Sequence, residues 1–257
     1  MLFAVDVGNT NLTLGVFRGS ELVGHWRLNT DREQTVDGWG VLFRNLLSLG
    51  EISFSEIRGI AISSVAPSLD ASLRRMSERY FHQTPLFVDS TTDTGLRIAI
   101  DNPTEVGADR LVNSVAAYAR YGGPCVAVDF GTAINFDVIS ADGSYLGGLL
   151  CPGVSVAAEA LFRRTARLPQ VDLQPPRRLI GSNTVDALRS GLFYGSLGLL
   201  DGILARLLTE LGPTTKVVGT GGQAHLLCPS SAYVQEVDEH LTLKGLRMVW
   251  ERNRSPV

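Results

Sequence analysis

The feature that most constrains this chain is a junction that occurs twice. The apolar run Leu2-Phe3-Ala4-Val5 leads into Asp6-Val7-Gly8-Asn9-Thr10-Asn11, and Cys125-Val126-Ala127-Val128 leads into Asp129-Phe130-Gly131-Thr132-Ala133. Each reads as a short strand entering a glycine-bearing turn, with an aspartate at the strand end where small residues let backbone amides approach a phosphate. Asp129 follows Asp6 by 123 positions in a chain of 257. A spacing near half the chain implies two copies of one unit facing each other. Glu105-Val106-Gly107-Ala108-Asp109-Arg110-Leu111 then lies on the segment between them, with Asp109 at its centre.

The order of elements supports the duplication. Leu2 to Asp6, Leu12 to Phe17 and Glu21 to Leu28 read as three strands joined by tight turns. Val36, Trp39, Leu42, Phe43, Leu46 and Leu47 recur at helical spacing, so Thr35 to Leu49 reads as a helix. Strand Gly59 to Val65, helix Pro67 to Phe81 and strand Pro85 to Val88 complete a βββαβαβ unit. Thr104 suits an N-cap for a helix running to Tyr121, which puts Asp109 in its early turns. The plan then repeats, with strands Cys125 to Val128, Ile134 to Ser140 and Ser144 to Leu150, and helices Val154 to Arg167 and Thr184 to Leu211. Leu168 to Pro176, with three prolines, is a loop. Lys216 to Val218 is a strand entering Gly219-Thr220-Gly221-Gly222, a third glycine turn expected to open a helix. A last helix spans Thr242 to Arg252, and Arg252 to Val257 is expected to fray.

Gly191, Gly195, Gly198 and Gly202 line one face of the long helix. Each costs about 1 kcal/mol relative to Ala. Two readings fit that cost: a tight helix crossing, against the other unit or across a two-fold axis, or ordinary small-residue packing inside one core. Gly181-Ser182-Asn183-Thr184, at the start of that helix, supplies either plain caps or substrate contacts.

Composition narrows the function. With 44% hydrophobic and 19% charged residues the chain can bury a real core. A net charge of −3 lacks the cationic excess of a nucleic-acid binder, so no nucleic-acid partner is expected. No uninterrupted apolar run approaches the roughly 18 residues of a membrane span, and the first residues lack the basic start of a secretory signal. The expected location is the cytoplasm, with no membrane association. Cys125, Cys151 and Cys228 are odd in number and widely spaced, which indicates neither a disulfide frame nor a zinc site.

Three glycine turns after strands, two of them carrying Asp, are what phosphoryl transfer requires: amide and hydroxyl donors around phosphates, an acid near hydrated Mg²⁺, and a group that aligns the attacking oxygen. GxxxxGK[ST], the protein-kinase motifs, GxSxG and GxGxxG are all absent. At this point the residues carry a resemblance. DVGNTN at Asp6 to Asn11, WRLNTDREQT at Trp26 to Thr35, DNPTEVGADR at Asp101 to Arg110 and DFGTA at Asp129 to Ala133 are similar to the type III pantothenate kinases. So are DGSYLGGLLCPG at Asp142 to Gly153, GSNTVDALRSG at Gly181 to Gly191 and GTGG at Gly219 to Gly222. That family lies in the acetate and sugar kinase/Hsp70/actin superfamily, and the similarity runs nearly end to end.

The resemblance implies an α/β fold of duplicated ribonuclease H-like (actin-like ATPase) domains, mixed sheets flanked by helices with a cleft between them. The expected domains are 1–115, with the first phosphate loop, and 116–257, with the second phosphate and adenosine loops. It implies ATP-dependent phosphorylation of pantothenate to 4'-phosphopantothenate, the first step of coenzyme A synthesis. By motif, Asp6, Val7, Gly8, Asn9, Thr10, Asn11, Leu12 and Thr13 form the first phosphate loop, with Asp6 near Mg²⁺ through water. Thr132, Gly221 and Gly222 also contact ATP. Asp109 corresponds to the catalytic acid, and Ile100, Gly107, Ala108, Asp109, Arg110 and Thr184 line pantothenate. Asp129 corresponds to the ligand of a monovalent cation, K⁺ or NH₄⁺. A homodimer is implied as well.

One departure bears on substrate fit. Ile100 stands where many relatives have Tyr, and Asn135 where Thr is common; neither touches the acid or phosphate groups. An Asp of ordinary pKa near 3.9 is a poor base at neutral pH, so alignment with late proton acceptance is the expected role of Asp109. Two alternatives stay open: a non-catalytic ATP- or pantothenate-binding regulatory or accessory protein of the same fold, and a kinase acting on a sugar or acetate.

Overall fold

A computed structural model describes residues 1–254. The chain divides into two compact units, the first comprising Met1–Ala116 with the residues from Leu241 onward, the second Ala117–His240.

In the first unit, strands β1 (Leu2–Val7), β2 (Asn11–Arg18) and β3 (Glu21–Asn29) form an antiparallel meander. β4 (Gly59–Ser64) and β5 (Leu86–Phe87) add in parallel, giving the order β3-β2-β1-β4-β5. Alternation sorts the side chains. Phe3, Val5 and Val7 face α1 (Val36–Leu49) and α2 (Pro67–Met76), packing with Trp39, Phe43, Leu69 and Leu73. Leu2, Ala4 and Ala61 face the other way, onto α3 (Ala108–Tyr121) and α7 (Leu241–Asn253), through Ala108, Val112, Leu243 and Leu246. Helices therefore cover both faces of a mixed sheet. Thr35 starts α1 by accepting a hydrogen bond from Gly38 N–H at 3.0 Å. A short strand, β6 (Arg97–Ile98), precedes the turn into α3.

The second unit repeats the plan. β7 (Cys125–Phe130), β8 (Ala133–Ile139) and β9 (Ser144–Pro152) form the meander, and β10 (Lys216–Thr220) and β11 (Glu236–Val237) add in parallel, giving β9-β8-β7-β10-β11. Val126, Val128 and Phe130 pack with Leu192, Leu200 and Leu204 of α5 (Thr184–Leu211), with Val154 at the start of α4 (Val154–Arg164) and with Ala224 of the one-turn α6 (Ala224–Leu227). β1 and β7 bury their residues in the same pattern, only the fifth position, Asp6 or Asp129, being half-exposed. The second strand of each meander shifts register at corresponding positions, Val16/Phe17 and Val138/Ile139. The duplication is thus visible in strand order, register and irregularity alike.

Several details differ from expectation. α3 begins at Ala108, because Pro103–Glu105 forms a separate 3₁₀ turn in which Thr104 Oγ1 donates to Asn102 Oδ1; Asp109 is the second helical residue. α4 stops at Arg164, and 165–183 carries no regular element. α7, expected in the second unit, packs in the first. The vacant Cβ position of Gly245 is 1.9 Å from the Val112 carbonyl oxygen, so only glycine permits that crossing of α7 on α3. Arg252 is helical and its Nε donates to Asp93 Oδ1 at 2.7 Å, so fraying does not begin there; residues 255–257 lie outside the described residues. α5 is, among the described residues, the one helix long and apolar enough by length and composition to cross a membrane, although Leu192, Phe193, Leu200 and Leu204 dock it on the second sheet. Its glycines do not pack inside one core: a Cβ added at Gly191, Gly195 or Gly198 meets nothing within 4 Å.

Candidate active site

The first-unit residues are set by the end of β1. After Asp6 the chain turns through Gly8, whose N–H donates to the Asn11 carbonyl at 2.9 Å. A Cβ on Gly8 would sit 2.8 Å from that oxygen, so the turn needs glycine. Asn9 and Thr10 at the apex are exposed, Asn11 and Thr13 half-buried, and Val7 and Leu12 anchor the arms in the core. The segment after β3 supports the loop: Thr30 Oγ1 donates to the Gly8 carbonyl at 2.7 Å and Thr30 N–H to the Thr10 carbonyl at 2.9 Å. Arg32 Nη2 donates to Asn9 Oδ1 at 3.0 Å, which brings a guanidinium to the loop. Thr30 and Arg32 were not singled out from sequence, although both lie within WRLNTDREQT; they follow the end of β3 in a stretch with no glycine and no regular element, whose role shows only in contacts.

Asp6 and Ser63 are partners across the parallel β1/β4 pair, and both continue the face on which Ala4 and Ala61 pack against Ala108. Ser63 Oγ is buried with no hydrogen-bond partner. Asp109 occupies the first turn of α3 on that same face. Its Oδ1 accepts from Arg110 N–H at 2.8 Å and sits 2.6 Å from where a Gly107 Cβ would be; Val65 Cγ1 lies 3.5 Å from the same point. Gly107 therefore makes room for the Asp109 carboxylate itself. Ala108 is buried and Arg110 half-buried, with Ser114 Oγ donating to the Arg110 carbonyl at 2.8 Å. Ile100 is half-buried on the loop after β6.

Burial raises the Asp109 pKa above its ordinary 3.8; the Arg110 N–H and guanidinium pull the other way without cancelling it. The carboxylate is thus a better proton acceptor than an ordinary Asp. The electrostatics move the expected late acceptor towards a working general base.

In the second unit Asp129 ends β7 as Asp6 ends β1. Its hairpin is one residue shorter: Gly131 N–H donates to the Ala133 carbonyl at 2.9 Å, and Thr132 stands exposed at the apex. Gly153 N–H donates to the Thr132 carbonyl at 3.0 Å, and a Cβ there would lie 2.5 Å from the Gly131 and Thr132 oxygens. Gly221 has φ +89°, and its vacant Cβ position is 2.3 Å from Asp129 Oδ1. The GTGG turn thus lays bare backbone against the Asp129 carboxylate, with Gly222 next in the turn. It does not open the expected helix of useful length, since α6 has four residues. Thr184 is the first residue of α5. Asn183 caps that helix, its Oδ1 accepting from Asp186 N–H at 2.9 Å. Thr184 lines an apolar cavity of about 320 Å³ with Leu161, Leu168, Leu188 and Leu192.

Comparison with known proteins decides the family. Residues 2–206 match the family model described as type III pantothenate kinase. The chain belongs to the type III pantothenate kinase family. Its relatives include the type III pantothenate kinases of Solibacter usitatus, 55% identical over 253 residues (98% of this chain, 97% of that protein), and of Koribacter versatilis, 54% identical over 265 residues (99% and 97%). A crystal structure from Campylobacter jejuni, described as a Baf family transcriptional activator, superposes with a TM-score of 0.60 at 22% identity, covering 98% of both chains. At that identity it shows the fold alone.

A kinase of this family works with ATP and a divalent metal. Among the described residues no group of three or more His, Cys, Asp or Glu could hold an ion. A divalent ion fits here only in a largely hydrated form carried by phosphates, with single carboxylates nearby, which is how Mg²⁺ is usually held.

Proposed function

We propose that this chain transfers the γ-phosphoryl group of ATP to the primary hydroxyl of pantothenate, giving 4'-phosphopantothenate and ADP, the first step of coenzyme A biosynthesis. The observation that carries the reading is Asp109: a carboxylate whose proton affinity burial raises, seated on a glycine vacancy at a helix start, in the same unit as an Asp-ended phosphate turn. The pantothenate hydroxyl donates its proton to Asp109 as its oxygen bonds to γ-phosphorus and the bond to the β-phosphate bridging oxygen breaks. Asp6 to Thr13 hold phosphate through backbone N–H groups and the Asn9, Thr10 and Thr13 side chains, and Arg32 adds positive charge beside them. Thr132, Gly221 and Gly222 contact the nucleotide. Arg110 suits the pantothenate carboxylate, with Gly107, Ala108, Ile100 and Thr184 lining the same substrate.

Mg²⁺, when bound with ATP, neutralises charge on the β- and γ-phosphates; Asp6 holds it through water. Asp129 binds a monovalent cation, K⁺ or NH₄⁺. The bare glycine face of α5, together with exposed Tyr194, fits a second copy of the chain, making a homodimer. We place the protein in the cytoplasm, where ATP is available. The test is coupled ADP release by purified protein with pantothenate, ATP, Mg²⁺ and K⁺, with a sugar and acetate as control acceptors. Pantothenate-dependent turnover is expected. Silence at millimolar ATP with nucleotide still bound would replace the kinase by an accessory binder, and turnover on another acceptor would replace the substrate.

A further inference from the structure

Asp129 does not stand alone on its sheet. Asn135 is its partner across the antiparallel β7/β8 pair, and Thr220 is its partner across the parallel β7/β10 pair. Partners in register share a face, with Cβ atoms about 4.5–5.5 Å apart in the antiparallel case. A carboxylate is therefore flanked on adjoining strands by an amide and a hydroxyl. Asn135 Oδ1 is buried and has no hydrogen-bond partner, an exception that calls for a reason in a folded chain. Asn135 and Asp129 are both half-exposed as residues, so the oxygen is sheltered while the site stays reachable from solvent. Gly221 contributes backbone and no side chain over the carboxylate, leaving space that any Cβ would take.

Carboxylate, amide carbonyl and hydroxyl are all hard oxygen donors with no nitrogen or sulfur among them, which selects alkali and alkaline-earth ions over transition metals. One formal negative charge among neutral oxygens matches a single positive charge. The first unit offers a contrast. There Asp6 is flanked by Thr13 and Ser63, two hydroxyls and no carbonyl. A dehydrated alkali ion is held well by carbonyl oxygens, which replace its water shell, so the second trio is the better equipped for one.

We propose that Asn135 Oδ1 is a direct ligand of a monovalent cation, K⁺ in the first place, shared with the carboxylate of Asp129. The inference rests on the cation reading of Asp129 given above. It also accounts for the orphaned oxygen, which the ion satisfies.

The test is a K⁺ titration of the full chain with Mg²⁺ and a non-hydrolysable ATP analogue. Choline chloride holds ionic strength constant, and the reading is the K⁺ concentration that gives half the maximal rise in melting temperature. N135L keeps size and removes the oxygen, and should raise that concentration by about tenfold or more, the usual penalty at a metal site, with a melting temperature in choline alone no lower than wild type. N135T restores an oxygen, a hydroxyl in place of the carbonyl, and should bring the midpoint part of the way back towards wild type. An N135L midpoint equal to wild type overturns the proposal. Should N135L fail to fold, N135D decides: an added carboxylate must tighten K⁺ binding, and an unchanged midpoint overturns it. A wild-type protein with no K⁺-specific shift sinks the cation reading of Asp129 and this inference with it, while the ADP-release assay judges the kinase reading separately.

Discussion

Replacing Gly107 by Ala separates the placement of Asp109 from the stability of the fold. The added methyl carbon would lie 2.6 Å from Asp109 Oδ1, 3.5 Å from Val65 Cγ1 and against no backbone atom. Val65 is already at ordinary contact. The carboxylate has to give way, and reaching 3.4 Å, where ordinary contact starts, takes a retreat of 0.8 Å (3.4 − 2.6). A carboxylate end can swing, so the fold loses little. Ala in place of Gly just before a helix costs about 1 kcal/mol, while the Leu111 N–H bond to the residue 107 carbonyl is unaffected. Catalysis is less forgiving, since misplacing a reacting group by about 1 Å costs about 10²-fold, or about 2.7 kcal/mol of barrier. G107A should therefore unfold in urea within about 1 kcal/mol of wild type and bind ATP normally, yet release ADP about 100-fold more slowly. A folded G107A with wild-type kcat would refute the claim that the position of this carboxylate limits turnover.

Two other variants probe separate parts of the molecule. D109N should lower kcat by about 10²–10⁴-fold with nucleotide binding kept, and its stability should depend on pH in a defined sense. Because burial raises the folded-state pKa above 3.8, the Asp109 proton favours folding at low pH, and that contribution is lost as pH rises through the folded-state pKa. In chemical denaturation D109N should be the more stable form at pH 8, with the gap closing towards about pH 4. A Cβ added at Gly195 meets nothing within 4 Å, and Gly195→Leu improves helix propensity by about 1 kcal/mol, so a monomer would gain stability. If the stripe is a dimer crossing, light scattering should instead show G195L dissociating at concentrations where wild type stays paired.

Much of the fold was legible because its signals are local and repeated. The strand-turn junctions at Asp6 and Asp129 were readable from alternation and glycine placement, and the approximate bounds read for α5 agree with the helix that Asn183 and Gly212 delimit. The start of α3 was misjudged because Thr104 resembles a cap, whereas Pro103 lets a 3₁₀ turn form first and the helix restart at Ala108. The membership of α7 was invisible, since nothing in Leu241 to Asn253 says which sheet its apolar stripe will cover; the answer is in the fit of Gly245 on Val112 and Trp250 over Gly59. The elevated proton affinity of Asp109 depends on surrounding atoms that no motif encodes. Gly107 was expected only among the residues lining pantothenate; its vacant Cβ position also makes room for the acid's own oxygen.

The docking of α7 on the first sheet has a consequence for how a ribosome must deliver this protein. The helix carrying Asp109 is seated by Leu243, Leu246 and Gly245, which are synthesised only after the whole stretch 117–240. Those 124 intervening residues take roughly 6 to 25 s to translate at 5–20 residues per second. During that interval Leu2, Ala4 and Val112 have no lasting cover, while the later-born unit already holds every residue of its own core. The part made first is therefore the part that closes last, and a message cut short of its final 17 codons, 241–257, would yield an intact second sheet and a first one stripped of the wall behind its acid.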